Sequence, residues 1–304
     1  MAAGEMQLSA PSSGWSRARH AMSVSWLIYV AAILVAIWIV GPFLWTLKSS
    51  FSPQNDLLSV PPQLIPHHWT LDNYKGLFAT LPGTSPGQEQ LIPGELKNSL
   101  IIASSVLALN LLFGAPAAYV LARGPVRFRR GIVNGLLASR MVPALVLLVP
   151  FYLLFRRAHL IDSLQGVVIA HLAISLPFTI WILRGHFARV PLELERAARV
   201  DGCGRLRTFQ YVALPLTKAG LAVAGLFAFM VSWNEFPLAL VLTASPRAFP
   251  VQPALAGLYS LQGATYLNYG YLFSATVLSA GPPAVIALLL QKHFRQGALA
   301  GAVK

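Results

Sequence analysis

Acidic side chains and cysteine are both scarce in this chain: ten of its 304 residues are Asp or Glu, and Cys203 is its single cysteine. One cysteine excludes an internal disulfide, and no partners at metal-ligand spacing accompany it, so it reads as a small filler. Charge of either sign is also low, at 11% of residues against 56% hydrophobic. With a mean hydropathy of +0.61, the chain is too apolar for a soluble domain of this length and belongs in a bilayer. The formal net charge of +13 follows from the shortage of carboxylates. Its Lys and Arg residues are scattered between apolar runs, which does not describe a nucleic-acid surface. Three motifs are missing as well. Without GxxxxGK[ST] there is no phosphate-cradling loop of that type, and without HExxH or GxSxG the signatures of a zinc hydrolase and of a nucleophile elbow are absent. The seven histidines are dispersed, and no metal site is expected.

What the chain does have is six long apolar runs, at about residues 24–47, 98–121, 131–155, 163–183, 218–244 and 269–290. Each is long enough for a membrane helix. The first is too long for a signal-peptide core and is expected to be retained. The fold class is therefore an all-α membrane protein with six transmembrane helices. Residues 1–23 are expected to be a cytoplasmic tail without order, residues 24–290 the six-span domain and residues 291–304 a second tail. Residues 48–97 carry Pro, Asn, Gln and Gly and include TLDNYKGLF at Thr70 to Phe78, a lid or a plain connection. Small residues Ala103, Ser104, Ser105, Gly114 and Ala115 suit close helix packing. Pro143, Pro150, Pro177, Pro282 and Pro283 predict kinks.

Basic residues set the expected orientation. With the N-terminal tail inside, cytoplasmic segments hold 16 Lys and Arg and outer segments hold six, leaving Arg140 within a span. That bias puts both termini in the cytoplasm. It also puts residues 191–215, PLELERAARVDGCGRLRTFQYVALP, in the cytoplasm, between the fourth and fifth spans. Pro191 suits a first helical turn, Glu193 and Glu195 favour its positive end, and Gly202 and Gly204 supply a stop. A helix followed by a second short piece is expected. On composition alone, an amphipathic linker lying on lipid headgroups is equally open.

Spacing in this loop resembles a known signature. Ala197-Ala198, Gly202 after Asp201, Val212 and Leu214-Pro215 are similar to EAA---G---------I-LP of the membrane subunits of bacterial ABC importers. The resemblance extends through LIDSLQGVVIAHLAISLPFTIWILRGHF, VSWNEFPLALVLT and the ending QKHFRQGALAGAVK to the permease family of carbohydrate ABC importers, the group containing the maltose permease's G subunit. It covers nearly the whole chain from about Trp26. It implies a coupling helix, made here by Glu195, Arg196, Ala197, Ala198, Asp201, Gly202, Leu214 and Pro215, that docks into an ATPase subunit. Arg196 departs from the pattern, since the family usually has glutamate there. The resemblance also implies a second permease, two ATPase subunits carrying ATP and Mg, an extracytoplasmic solute-binding protein and a sugar substrate. No cofactor is expected on this chain, and no covalent chemistry.

Glu235 is the acidic residue that falls inside a predicted span. A carboxylate at membrane depth costs about 2.5 to 3.5 kcal/mol, so it needs a partner, a cavity or an interface. Trp233, Asn234 and Glu235 together offer a stacking face, an amide and a carboxylate. These groups suit either contact with a sugar in transit or packing against a partner permease. Arg140 is a conceivable partner for Glu235. His171, on an apolar span, reads as a hydrogen-bonded packing residue. The rival readings are an ion-coupled secondary transporter, which ought to show inverted repeats and more coupling carboxylates, and a membrane-bound enzyme.

Overall fold

Where proline falls decides which apolar runs stay straight. In the computed structural model, described over residues 14–61, 63–78, 92–260 and 268–302, the elements are helical and no strand occurs among the described residues. In chain order they are α1 (Gly14–Ser50), α2 (Gln54–Leu57), α3 (Asp72–Phe78), α4 (Ile92–Arg123), α5 (Arg129–Ala138), a 3-10 turn (Ser139–Met141) and α6 (Ala144–Arg157). There follow α7 (Leu164–Ala188), α8 (Leu192–Val200), α9 (Arg205–Thr208), a π turn (Phe209–Ala213), α10 (Leu214–Leu216), α11 (Lys218–Trp233), α12 (Pro237–Leu242), α13 (Val251–Ser260) and α14 (Tyr269–Ala302).

Among the described residues, four helices are long and apolar enough to cross a membrane: Ile28–Ser50, Ile92–Arg123, Leu164–Ala188 and Tyr269–Gln291. Up to six spans are reached if each of two bent pairs counts as one. Pro42, Pro116, Pro177, Pro282 and Pro283 are absorbed inside continuous helices. Pro143 is not. The residue before a proline is pushed out of the helical region, and Val142 is extended (ψ 121°). Arg129–Met141 and Ala144–Arg157 therefore meet at 96°, so the kink expected from Pro143 within 131–155 is a sharp elbow. The expected span over 218–244 is likewise interrupted: α11 stops at Trp233 and α12 starts at Pro237.

The N-terminal tail differs from expectation too. Helix α1 begins at Gly14, inside the segment expected to be an irregular tail, and α14 continues to Ala302. Residues 1–13 lie outside the described residues.

Helices α4 and α7 pack on each other, α11 packs on both, α14 packs on α11, and α1 packs on α14. Small residues permit close approach here. A Cβ on Gly114 of α4 would stand 3.1 Å from Thr179 Cγ2 of α7, and Ala103 and Ala115 are buried. Polar side chains stitch the same helices together. Asn110 Nδ2 donates to Ser175 Oγ (2.8 Å), and Ser232 Oγ lies 2.9 Å from His171 Nδ1. Each such bond inside a bilayer contributes about 0.6 to 2 kcal/mol.

The segment containing TLDNYKGLF forms a tied connection. Asn73 is buried and donates to the carbonyls of Ser50 and Ser52 (2.9 Å each), holding α3 against the end of α1.

Candidate coupling loop and buried polar cluster

Helix α8 is short because its ends are chemically defined. Pro191 precedes it in extended geometry (ψ 129°), and Glu193 and Glu195 occupy its first turn. At the far end Gly202 takes φ +84°. Gly202 N–H donates to the Arg199 carbonyl (3.1 Å) and Cys203 N–H to the Ala198 carbonyl (2.9 Å). That pair of bonds is a Schellman stop, which requires a left-handed residue at the position of Gly202. Nothing lies within 4 Å of where a Cβ on Gly202 would be. The glycine is needed there for its backbone angle, not for close approach.

One face of α8 turns inward through Glu195, which is 1% exposed. Its carboxylate accepts from Tyr119 Oη and from Arg123 Nε, both at 3.0 Å, and Arg199 Nη2 lies 3.9 Å away. Arg123 also donates through Nη2 to the Val190 carbonyl. Two residues from the end of α4 are thus joined to α8 by one carboxylate, and Arg123 ties in the carbonyl following α7 as well. Tyr119 packs against Phe187 and Phe209 with centroids 5.6 and 5.0 Å apart. A cleft of about 320 Å³, lined among others by Arg199, Arg205 and Leu206, opens beside this junction.

The opposite face of α8 is open. Glu193, Arg196, Ala197 and Val200 are all exposed, at i, i+3, i+4 and i+7 spacing that places them on one side. Val200 is 87% exposed. Ala198 is half-buried, and Asp201 caps the helix in solvent. Leu214 packs into the core beside Ala213, while Pro215 is exposed. The π turn and Pro215 precede an 80° bend into α11, so the loop leads directly into a core helix.

The second group predicted from sequence, expected to meet either a sugar in transit or a partner permease, does not form one continuous polar surface. Trp233 is 2% exposed and stacks on Phe229 at 5.4 Å. Asn234 is exposed, and its Nδ2 donates back to the Met230 carbonyl (2.9 Å). Glu235 is buried. Its two oxygens accept from the N–H groups of Leu238 and Ala239 (2.9 Å each), which caps α12, and His171 Nε2 lies 3.2 Å from Oε2. The conceivable pair between Glu235 and Arg140 does not form. Arg140 Nη1 donates instead to the Ile174 carbonyl (2.8 Å). Sequence reasoning missed Tyr119 and Arg123, because nothing local marks a contact between residues 76 positions apart. Among the described residues, no group of three or more His, Cys, Asp or Glu could hold a metal ion.

Known proteins agree with this architecture. Residues 110–301 match the family described as binding-protein-dependent transport system inner membrane component. The diacetylchitobiose uptake system permease protein DasC of Streptomyces coelicolor is 32% identical over 275 residues, 90% of this chain and 95% of its own length. The trehalose/maltose transport system permease protein MalG of Thermococcus litoralis is 31% identical, covering 91% of this chain and 96% of its own. A solved chain of a bacterial ABC transporter involved in import of the acidic polysaccharide alginate superposes with a TM-score of 0.73. It covers 94% of this chain and 100% of its own at 21% identity, which is evidence for a shared fold.

Proposed function

The chain belongs to the family of binding-protein-dependent transport system inner membrane components, and from that premise we propose that it supplies half of the translocation pathway of an ATP-driven sugar importer. It is a multi-pass inner-membrane permease subunit, and ATP hydrolysis belongs to a separate subunit. The sugar assignment is supported by relatives whose names specify diacetylchitobiose and trehalose or maltose. The complex comprises this subunit, a second permease, two ATPase subunits that bind ATP and Mg, and an extracytoplasmic solute-binding protein. Both termini and α8 face the cytoplasm.

The observation that carries the reading is the two-sided character of α8. Its inner face is joined through Glu195 to Tyr119 and Arg123 of α4, and its outer face is exposed. A partner that moves the outer face must therefore move the end of α4, which packs on α7 in the core. This is a physical route from an ATPase to the pathway, and alternating access follows from displacement of packed helices without any covalent step in this chain.

The test uses the complex reconstituted in proteoliposomes with its ATPase and loaded binding protein. Val200→Asp places a charge on the outer face without touching the Glu195 junction. It should leave insertion and association with the second permease intact while lowering binding-protein-stimulated ATP hydrolysis and uptake together by about tenfold. Arg196→Glu should also weaken coupling, because a partner suited to arginine then meets a carboxylate. Unchanged ATPase stimulation in Val200→Asp would remove the coupling role. Uptake that persists without ATP and collapses with the ion gradient would favour the secondary transporter.

A further inference from the structure

Arg140 lies at the elbow between α5 and α6, in the 3-10 turn that precedes the 96° change of direction. Its guanidinium lies over the rings of Phe178 and Phe227, 5.7 and 5.8 Å from their centroids. Nη1 donates to the Ile174 carbonyl at 2.8 Å. Ile174 and Phe178 fall in the middle of the 25-residue α7, and Phe227 falls in the middle of the 16-residue α11. The charge is therefore held near the mid-depth of the bundle. Phe178 in turn stacks on Trp181 (5.3 Å, 22° between planes), and Trp181 is 39% exposed. Arg140 is itself exposed, as is Met141 beside it.

Lipid does not suit this surface. A guanidinium at the bilayer centre costs about 2.5 to 3.5 kcal/mol even on permissive scales. Irregular backbone at membrane depth is tolerated where protein or a water-filled cavity covers it, and the elbow is irregular at Ser139–Met141. The carbonyl of Ile174 and two aromatic faces hold the side chain in place but supply no counter-charge. No Asp or Glu forms an ion pair with Arg140 among the described residues. Most of the planar donor fork stays available, and its geometry matches a carboxylate bidentately. Exposed Trp181, backed by Phe178, provides the flat apolar surface that suits the C–H face of a sugar ring.

We propose that Arg140, with Trp181 and Phe178, forms a subsite of the translocation pathway that takes saccharides bearing a carboxylate or a comparable acidic group. This rests on the importer reading and narrows its substrate class. The cation supplies recognition of the acidic substituent, and Trp181 supplies ring stacking that tolerates different sugars.

The experiment titrates the assembled importer, ATPase subunits included and solute-binding protein left out, in nanodiscs with trigalacturonate and with neutral maltotriose. Wild type should bind trigalacturonate about tenfold more tightly. Arg140→Gln should abolish that preference, Arg140→Lys should keep part of it, and Trp181→Ala should weaken both probes. Binding of neither probe, or a preference unchanged in Arg140→Gln, overturns the subsite. Loss of the second permease from the purified Arg140→Gln complex would identify a subunit ion pair instead, and would also overturn it. Wild-type assembly and ATP hydrolysis are measured in parallel. A chain that recruits no ATPase counts against the importer reading, whereas an active complex without charge preference counts against the subsite alone.

Discussion

Gly202 shows how little of a residue's role its neighbours need explain. Its φ of +84° and the open space where a Cβ would stand mean that substitution is opposed by the backbone, at about 1 to 2 kcal/mol for an ordinary side chain. Asparagine tolerates the left-handed region and a β-branched residue does not. Gly202→Asn should therefore retain most binding-protein-stimulated ATPase activity, and Gly202→Val should lose most of it with insertion unchanged. Asp162 works through its carboxylate. Oδ1 accepts from the N–H groups of Ala244 (2.9 Å) and Ser245 (2.8 Å), and Oδ2 from Ser245 Oγ (2.6 Å). Partial burial acts to raise its pKa. The bonds from Ser245 and Ala244 and the charge of Arg247 outweigh that and hold it below the ordinary carboxylate value. A lowered folded-state pKa stabilises the fold fully above the unfolded value of about 3.9, and the contribution is lost as pH falls through the folded value. Asp162→Asn should lower the unfolding midpoint at pH 7. The difference from wild type should close as the pH falls from above the unfolded carboxylate value through the lower folded one, which a thermal melt at several pH values would read.

At the scale of elements, the break between α11 and α12 is held by a single carboxylate. Glu235 satisfies two first-turn N–H groups of α12 and lies against His171 of α7. Unsatisfied donors at that depth cost several kcal/mol each. Glu235→Leu should therefore reduce the yield of folded, partner-bound subunit. Glu235→Gln, which keeps one acceptor, should be milder. A sugar-specificity change at normal yield would contradict a capping role. Helix α8 depends on Glu195 in the same way. Removing one partner of a buried ion pair costs about 3 to 5 kcal/mol, and losing a single hydrogen bond to the carboxylate about 1.5 to 3. Glu195→Ala should then increase trypsin cleavage at Arg196 and Arg199 far more than Tyr119→Phe does, as digestion of the purified complex would show.

Across the whole molecule, the core helices α4, α7 and α11 are surrounded by helices whose outer sides stay apolar and exposed. Trp38 of α1, Leu145 and Val149 of α6, and Leu288 of α14 are examples, as expected for a multi-pass inner-membrane subunit. Orientation is a property at this scale. In a Cys203→Ser background, Val200→Cys should resist an impermeant thiol reagent in intact cells and react in inverted vesicles. His159→Cys, in the connection between α6 and α7, should do the opposite. Equal labelling of both in intact cells would overturn the topology.

Hydropathy, proline and charge bias were enough to identify a helical membrane protein, to bracket its apolar runs and to isolate a polar helix between Pro191 and Gly202. These signals are local: an apolar stretch of about 20 residues, a missing N–H or a glycine at a helix stop acts on its own neighbours. Tertiary structure decided whatever depended on contact across the chain. Trp233, Asn234 and Glu235 are adjacent in sequence, yet packing buries Trp233, exposes Asn234 and turns Glu235 into a cap for α12. Glu195 faces inward because Tyr119 and Arg123, far away along the chain, arrive beside it. Arg140 has its aromatic bed because the chain turns through 96° at Pro143. A sequence shows that a charge at membrane depth must be accommodated, and only the packing of helices from distant segments determines by what.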